Sequence, residues 1–386
     1  IKSSAASDVY KRQVVNNLKV YGVENIKEVI EFFNNERNLE PSIVNTREEF
    51  YEHQSSFPYD FADVKGQESV KRALEVAASG GHNLIMIGSP GSGKSMMAKC
   101  MPSILPPLSL GESLETTKIH SVAGKLGKDS SLIAIRPFRS PHHTISQVAM
   151  VGGGTNPQPG EISLAHNGLL FLDELPEFNR SVLEVLRQPL EDRHISIARA
   201  KYSLDYPASF MLVASMNPCP CGYYNHPTRA CVCNPRQVQR YLNRISGPLL
   251  DRIDIQIEIV PVPFEKMAER HHAESSASIR ERVIKAREIQ AQRFANHPGI
   301  YCNAQMEAGL LHLYAQPNEA GLKLLRTAMT RLNLSARAYG RILKVARTIA
   351  DLDNSEHITS IHLAEAISYR TVSYTHLRAH ETLRHL

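Results

Sequence analysis

The sequence predicts an α/β fold: a parallel-sheet core carrying a P-loop, followed by a C-terminal helical domain. Three observations predict it. Gly88-Ser-Pro-Gly-Ser-Gly-Lys94-Ser95 fits G-x-x-x-x-G-K-[ST], between a short apolar strand candidate at Leu84–Ile87 and a helix beginning at Lys94. Leu169-Leu-Phe-Leu172 follows about 80 residues later as a second apolar run, ending in Asp173 and Glu174. Residues 304–370 then carry helical periodicity, with Leu322, Leu325, Met329 and Leu332 on one stripe and Ile342, Val345, Ala346 and Ile349 on another.

The P-loop has a physical reason for each residue type. Gly88, Gly91 and Gly93 let the backbone curl so that the N–H groups of Ser89, Pro90's neighbours and Ser92 turn inward. The helix N-terminus adds its positive dipole end, and a polyphosphate can sit there. Lys94 is placed to reach the β- and γ-phosphates, and the Ser95 hydroxyl to ligate Mg²⁺. A Gly-rich turn that binds nothing is the alternative, and the flanking strand and helix weigh against it.

The carboxylates of Asp173 and Glu174 emerge at the C-terminal end of a buried strand, the edge where open α/β sheets bind ligands. Asp173 is expected to hold Mg²⁺, directly or through water, and Glu174 to orient or deprotonate an attacking water. Phe210–Ala214 reads as another buried strand, and Asn217 just past it can hydrogen-bond that water or the γ-phosphate.

Composition bounds the remainder. The 386 residues allow two or three domains, and no apolar run reaches membrane-spanning length, so no membrane partner is expected. The formal charge is +5, but residues 1–13 hold +2 of it and residues 372–386 hold +1. Net charge therefore does not argue for nucleic acid, and any basic surface must be local. Six cysteines without a secretory signal suggest a reducing cytoplasm. The two end segments, 1–13 and 372–386, resemble translated library adapter sequence and are set aside as non-native tails expected to pack poorly.

Taken in order, Val14–Phe33 shows a helical period without a starting cap, and 34–58 reads as a linker. Tyr59–Gln67 opens a new unit, and Glu68–Ala78 is a helix ended by Gly80-Gly81. Pro102–Pro107 breaks the helix after the P-loop, and Glu112–Val122 is helical. Residues 133–160 form a long irregular insert rich in Gly, Pro and His, a kind of segment that is more often functional than decorative. Asn179–Leu190 is amphipathic. Ile195–Leu204 alternates like a hairpin with Arg199 and Lys201 near its tip, and Gln237–Leu242 is helical. Ile255–Val260 alternates as a strand, and Ile279–Phe294 is a charged amphipathic helix.

Cys219-Pro-Cys221 and Cys231-Val-Cys233 place two thiol pairs across a nine-residue loop. Four such thiols suit tetrahedral Zn²⁺, but the C-x-C spacing departs from the C-x₂-C of ordinary zinc ribbons. Zinc ligation and four free structural thiols both fit; His226 is a spare ligand or a loop histidine.

The motif order resembles the AAA+ ATPases and, more closely, the magnesium-chelatase-like branch known as the YifB or ComM family. The resemblance rests on Gly88–Ser95, Arg139–Ser146, Pro159–Pro176, Asn217–Gly222 and Ser335–Lys344, and spans about residues 14–371. It implies ATP and Mg²⁺ as cofactors, Lys94 and Ser95 as Walker A, Asp173 and Glu174 as Walker B, and Asn217 as sensor 1. It also implies Arg252 as an arginine finger acting on a neighbouring subunit, Arg337 as sensor 2 with Arg341 as the weaker candidate, and Val64 and Gly66 beside the adenine. A finger supplied in trans demands a homo-oligomer, and family members are usually hexameric rings.

The family begins with a Lon-protease-like domain, of which only a last helix is expected here, so the chain reads as a fragment. The expected domains are 1–13 tail, 14–58 remnant and linker, 59–263 AAA+ core, 264–371 helical lid and chelatase-type C-terminal domain, and 372–386 tail. The resemblance implies a motor hydrolysing ATP, with DNA translocation or branch migration in DNA uptake as the expected work. Arg199, Lys201, Arg136, Arg139, His142 and His143 are expected to grip DNA phosphates. An ATPase subunit of a metal chelatase and a protein-remodelling switch are the alternatives, which DNA-stimulated turnover would separate from the motor.

Overall fold

Short apolar runs, each buried on two faces, build the central sheet. The computed structural model describes residues 21–39 except 24, residue 54, and residues 56–126, 132–154, 158–199, 202–262, 273–332 and 334–372. The adapter-like segment 1–13, residues 373–386 and Lys201 lie outside the described residues.

In chain order the first elements are α1 (Ile26–Phe33), α2 (Glu68–Gly80), β1 (Leu84–Gly88), α3 (Lys94–Ile104) and α4 (Leu110–Val122). The insert holds β2 (Phe138–Arg139), α5 (Gln147–Val151), β3 (Gly152–Gly153) and β4 (Gln158–Pro159). Then come α6 (Glu161–Leu164), β5 (Leu169–Leu172), α7 (Arg180–Glu184), α8 (Pro189–Asp192), β6 (His194–Arg199), β7 (Tyr202–Pro207) and β8 (Met211–Met216). The chain continues through α9 (Pro235–Leu242), α10 (Gly247–Leu250), β9 (Ile255–Ile259), α11 (Ser276–Arg293), α12 (Ala308–Tyr314), α13 (Glu319–Arg331), α14 (Ala336–Leu352) and α15 (Ser360–Val372).

The described residues of 1–56 and 107–136 form one compact unit, and those of 57–106 and 137–386 a second. In the first unit α1 is capped, contrary to the sequence expectation: the Asn25 side chain accepts a hydrogen bond from Glu28 N at 3.2 Å. In the same unit Ser109 and Glu112 form a reciprocal capping box at the start of α4. Arg136 pairs there with Glu112 at 3.1 Å.

The second unit holds a five-stranded parallel sheet in the order β2-β5-β8-β1-β9. Alternate residues feed opposite cores. Leu84, Met86, Leu169, Phe171 and Val213 belong to one, with α2, α3 and the C-terminal helices. Ile85, Ile87, Leu170, Leu172, Leu212 and Ala214 belong to the other, with Val182, Leu183 and Leu249. Burial on both faces explains why these strands read as continuous apolar runs.

Several local expectations shift. The helix after the P-loop runs on to Ile104 and carries Pro102 in its last turns, where Met101 and Ile104, both fully buried, hold it. The amphipathic run 179–190 divides into α7 and α8, with Pro189 opening the second. The insert is less irregular than expected, because α5 and a minimal β3–β4 pairing lie within it. The expected hairpin is present as β6–β7, with Arg199 opposite Tyr202.

Candidate functional site

Parallel pairing sends the ends of β1, β5 and β8 to one edge of the sheet, and with them the P-loop, Asp173-Glu174 and Asn217. The P-loop follows β1, whose Gly88 approaches β9 so closely that a Cβ there would meet Ile259 O at 2.7 Å. Gly91 and Gly93 take φ of +77° and +88°, the left-handed region that other residues enter at a cost. Lys94 then opens α3 and is 9% exposed. Its ammonium donates to Gly88 O at 2.8 Å, Ser89 O at 2.9 Å and Asn217 Oδ1 at 3.2 Å. Burial lowers the Lys94 pKa, and the nearby carboxylates of Asp173 and Glu174 act against that shift.

Next to Lys94, the Ser95 hydroxyl donates to Asp173 Oδ2 at 2.8 Å. The other carboxylate oxygen of Asp173 accepts from the Ser215 hydroxyl and from Glu174 N. Glu174 has φ +53°, so the turn after β5 is tight and its side chain is thrown outward, half exposed. Five residues from three strand ends thus form one connected polar cluster. Ser215 was not singled out from sequence; its signal is its place on β8, two residues before Asn217.

The cluster fits a phosphate group and a divalent cation. Ser92 Oγ is buried without a hydrogen-bond partner, the N-terminal N–H groups of α3 face the loop, and the Ser95–Asp173 pair supplies hard oxygen ligands.

The loop after Asn217 carries the four cysteines. The Sγ atoms of Cys219, Cys221, Cys231 and Cys233 all lie within 4.8 Å of one another. Cys219 is 3.3 Å from Cys221 and 3.7 Å from Cys231, and Cys221 is 3.5 Å from Cys231. All six cysteines of the chain are free. Four sulfurs at tetrahedral corners about 2.3 Å from a central ion would stand roughly 3.8 Å apart, close to these spacings.

The family model for magnesium chelatase, subunit ChlI, matches residues 60–267, and that for the ChlI C-terminal region matches residues 273–370. The chain belongs to the magnesium-chelatase-like AAA+ family. It is 42% identical to competence protein ComM of Haemophilus influenzae, over 95% of this chain and 71% of ComM. It is 48% identical to the uncharacterized protein YifB of Salmonella typhimurium, over 81% of this chain and 60% of YifB. A magnesium-chelatase subunit ChlI homolog of Methanocaldococcus jannaschii is similar at 22% identity, over 73% of this chain and 80% of that protein.

The family's arginines stand apart from the P-loop cluster in this single chain. Arg252 is 7% exposed; it donates to Pro248 O at 2.8 Å, pairs with Glu191 at 2.8 Å, and its Nε is buried without a partner. Arg337 is exposed near the start of α14. Arg341, one turn on, is ion-paired with buried Asp254. Asp254 also receives Asn83 N at 3.1 Å and faces His82 Nδ1 at 3.4 Å.

Val64 is buried, and Gly66 takes φ +65° against Val262. That places them by the end of β9, which borders β1. The expected phosphate grips are already engaged: both Arg139 nitrogens bind Glu161 at 2.7 Å, as Arg136 binds Glu112. Among the described residues no helix is long and apolar enough to cross a membrane.

Proposed function

We propose that this chain is a Mg²⁺-dependent ATPase whose turnover drives a ring motor working on DNA. One observation carries the ATPase assignment: Lys94, Ser95, Asp173 and Asn217 meet through hydrogen bonds of 2.8 to 3.2 Å at the C-terminal edge of the sheet. Lys94 exchanges its loop carbonyls for the β- and γ-phosphate oxygens. Ser95 and Asp173 would hold Mg²⁺, which when bound offsets the charge on those oxygens. Ser215 fixes the Asp173 carboxylate from the far side. Asn217 orients the attacking water or the γ-phosphate, and Glu174 takes the water's proton. Arg252, released from Glu191, would act on the nucleotide of a neighbouring subunit, and Arg337 would close on it from α14; both roles call for a homo-oligomer, in this family a hexamer. Val64 and Gly66 would face the adenine.

DNA as the working substrate is supported by the competence protein among the relatives and by the β6–β7 hairpin with Arg199 at its tip. The engaged states of Arg136 and Arg139 move the expected phosphate grip away from the insert. An ATPase subunit of a metal chelatase is the second reading, favoured by the description of both family models.

Steady-state ATP hydrolysis by the full chain, with and without single-stranded and branched DNA at low salt, tests both. The motor predicts stimulation that fades as salt rises. Turnover indifferent to DNA overturns the motor, and normal turnover by Glu174→Gln overturns the site.

The four cysteines would hold one Zn²⁺ as a structural ion, since their sulfur spacings match a tetrahedral site. Metal analysis of protein purified without chelators should return about one zinc per chain; a metal-free, fully reduced and folded protein would exclude it.

A further inference from the structure

The histidine pair of the insert, His142 and His143, has no role in the site described above. The sheet explains where it goes. β2 lies parallel to β5, with Phe138 opposite Leu169 and Arg139 opposite Leu170. Two neighbouring parallel strands deliver the residues after their C-terminal ends to the same edge. After β5 the chain enters Asp173-Glu174, and after β2 it enters the turn bearing His143.

The registration is firm. Pro137 O accepts Leu169 N at 2.7 Å, and the Arg139 guanidinium grips Glu161 through two bonds. The turn closes through Ile145 N to His142 O at 3.0 Å.

His143 Nδ1 stands 4.0 Å from Glu174 Oε2. Its ring is held on two sides. The His142 ring lies 4.0 Å away, centroid to centroid, and Phe178 meets His143 edge-on at 6.4 Å. His142 is itself tied to Thr144 Oγ1 at 2.9 Å. Opposite the imidazole, the Glu174 main chain is fixed, because its N–H bonds the Asp173 carboxylate at 3.1 Å and its φ is +53°. Only its side-chain torsions remain to choose where the carboxylate points. Among the described residues, the one ion pair at that carboxylate is with His143.

We propose that His143 is a positioning residue for Glu174, holding the carboxylate at the sheet edge where it meets the attacking water. The proposal rests on Glu174 being the group that accepts the water's proton. At 4.0 Å the pair is an electrostatic contact rather than a hydrogen bond, so the carboxylate is steered without its lone pairs being taken up. The same geometry links the insert to the reaction centre, because moving the turn at 142–145 moves the imidazole.

Three variants of the full chain test it by hydrolysis kinetics and by binding of a fluorescent ATP analogue. His143→Ala should lower kcat by about tenfold, in line with the loss of a well-placed proton acceptor, while KM and the analogue's Kd stay within about twofold. His143→Asn keeps a nitrogen donor near the Nδ1 position and should recover most of kcat.

Failure of this proposal differs from failure of the site. Normal turnover in Glu174→Gln removes the base assignment and His143 with it. An inactive Glu174→Gln beside a His143→Ala of unchanged kcat overturns the positioning role alone. A His143→Ala that loses nucleotide affinity and thermal stability together, without rescue by His143→Asn, makes His143 a packing residue and also overturns it.

Discussion

Gly222 rests directly on Pro90: a Cβ at position 222 would lie 2.4 Å from Pro90 Cδ and 2.7 Å from its Cγ. The loop of four cysteines is therefore seated on the phosphate-binding loop. The contact is made by ring atoms, which cannot swing aside, and Gly222 has φ +83°. Cys219 O accepts Gly222 N at 3.0 Å, so the turn that forms this contact is closed by a cysteine.

Gly222→Ala should weaken nucleotide binding. A left-handed alanine costs roughly 1–2 kcal/mol, and the displaced Pro90 adds to it, so affinity should fall by about tenfold or more. Titration with a fluorescent ATP analogue measures the loss. Unchanged affinity would mean that the P-loop does not depend on this contact.

Zinc removal should have the same direction of effect. Treating the full chain with a mercurial that binds thiols should release about one zinc per chain and weaken the analogue's binding in step. Release of zinc with affinity unchanged would make the metal a clamp for residues 219–233 alone.

Lys94 and Asn217 should separate binding from turnover. Lys94→Ala removes the buried ammonium and should abolish detectable nucleotide binding. Asn217→Ala should lower kcat by roughly 10²-fold with nucleotide Kd within about threefold, the signature of a donor used mainly in the transition state. Equal losses in Kd for both variants would place Asn217 in ground-state binding.

The Asp254 hub should set the acid limit of stability. Burial lowers the His82 imidazole below its ordinary 6.5, against the pull of Asp254. Burial alone would raise Asp254, but Arg341 and His82 overcome this and hold it well below its ordinary 3.8. Both groups have depressed values in the folded chain, so the unfolded chain binds more protons as pH falls. Their stabilisation is therefore full above about pH 7 and is lost downward, first through His82 and below about pH 4 through Asp254. Arg341→Ala leaves a buried carboxylate without its cation and should cost about 2–4 kcal/mol at neutral pH. It should also flatten the acid limb, because Asp254 is then held less low. Urea unfolding between pH 3 and pH 8 reads both effects, and an unchanged acid slope would remove Arg341 as the cause.

Much of the site could be read from the chain itself. Gly88–Ser95 declares a strand–loop–helix because glycine, lysine and serine at that spacing have few other uses, and the apolar runs before Gly88, Asp173 and Asn217 announced buried strands. The cysteine pairs were visible as pairs, but whether their sulfurs converge was open, since nine intervening residues can close in many ways. The start of α1 at Asn25 and the division of 179–190 at Pro189 were missed because a local period says little about where a helix stops.

The sequence alone determined the motifs, the strand ends that carry them and the helical character of 304–370, because those depend on neighbours a few residues apart. Only the tertiary structure decided that Ser215 fixes Asp173, that Gly222 lies on Pro90, that Arg341 answers Asp254, and that His143 faces Glu174. Each of these pairs residues from different strands or loops. Their meeting is set by the order β2-β5-β8-β1-β9 and its parallel register, a property of the whole sheet that no local stretch encodes.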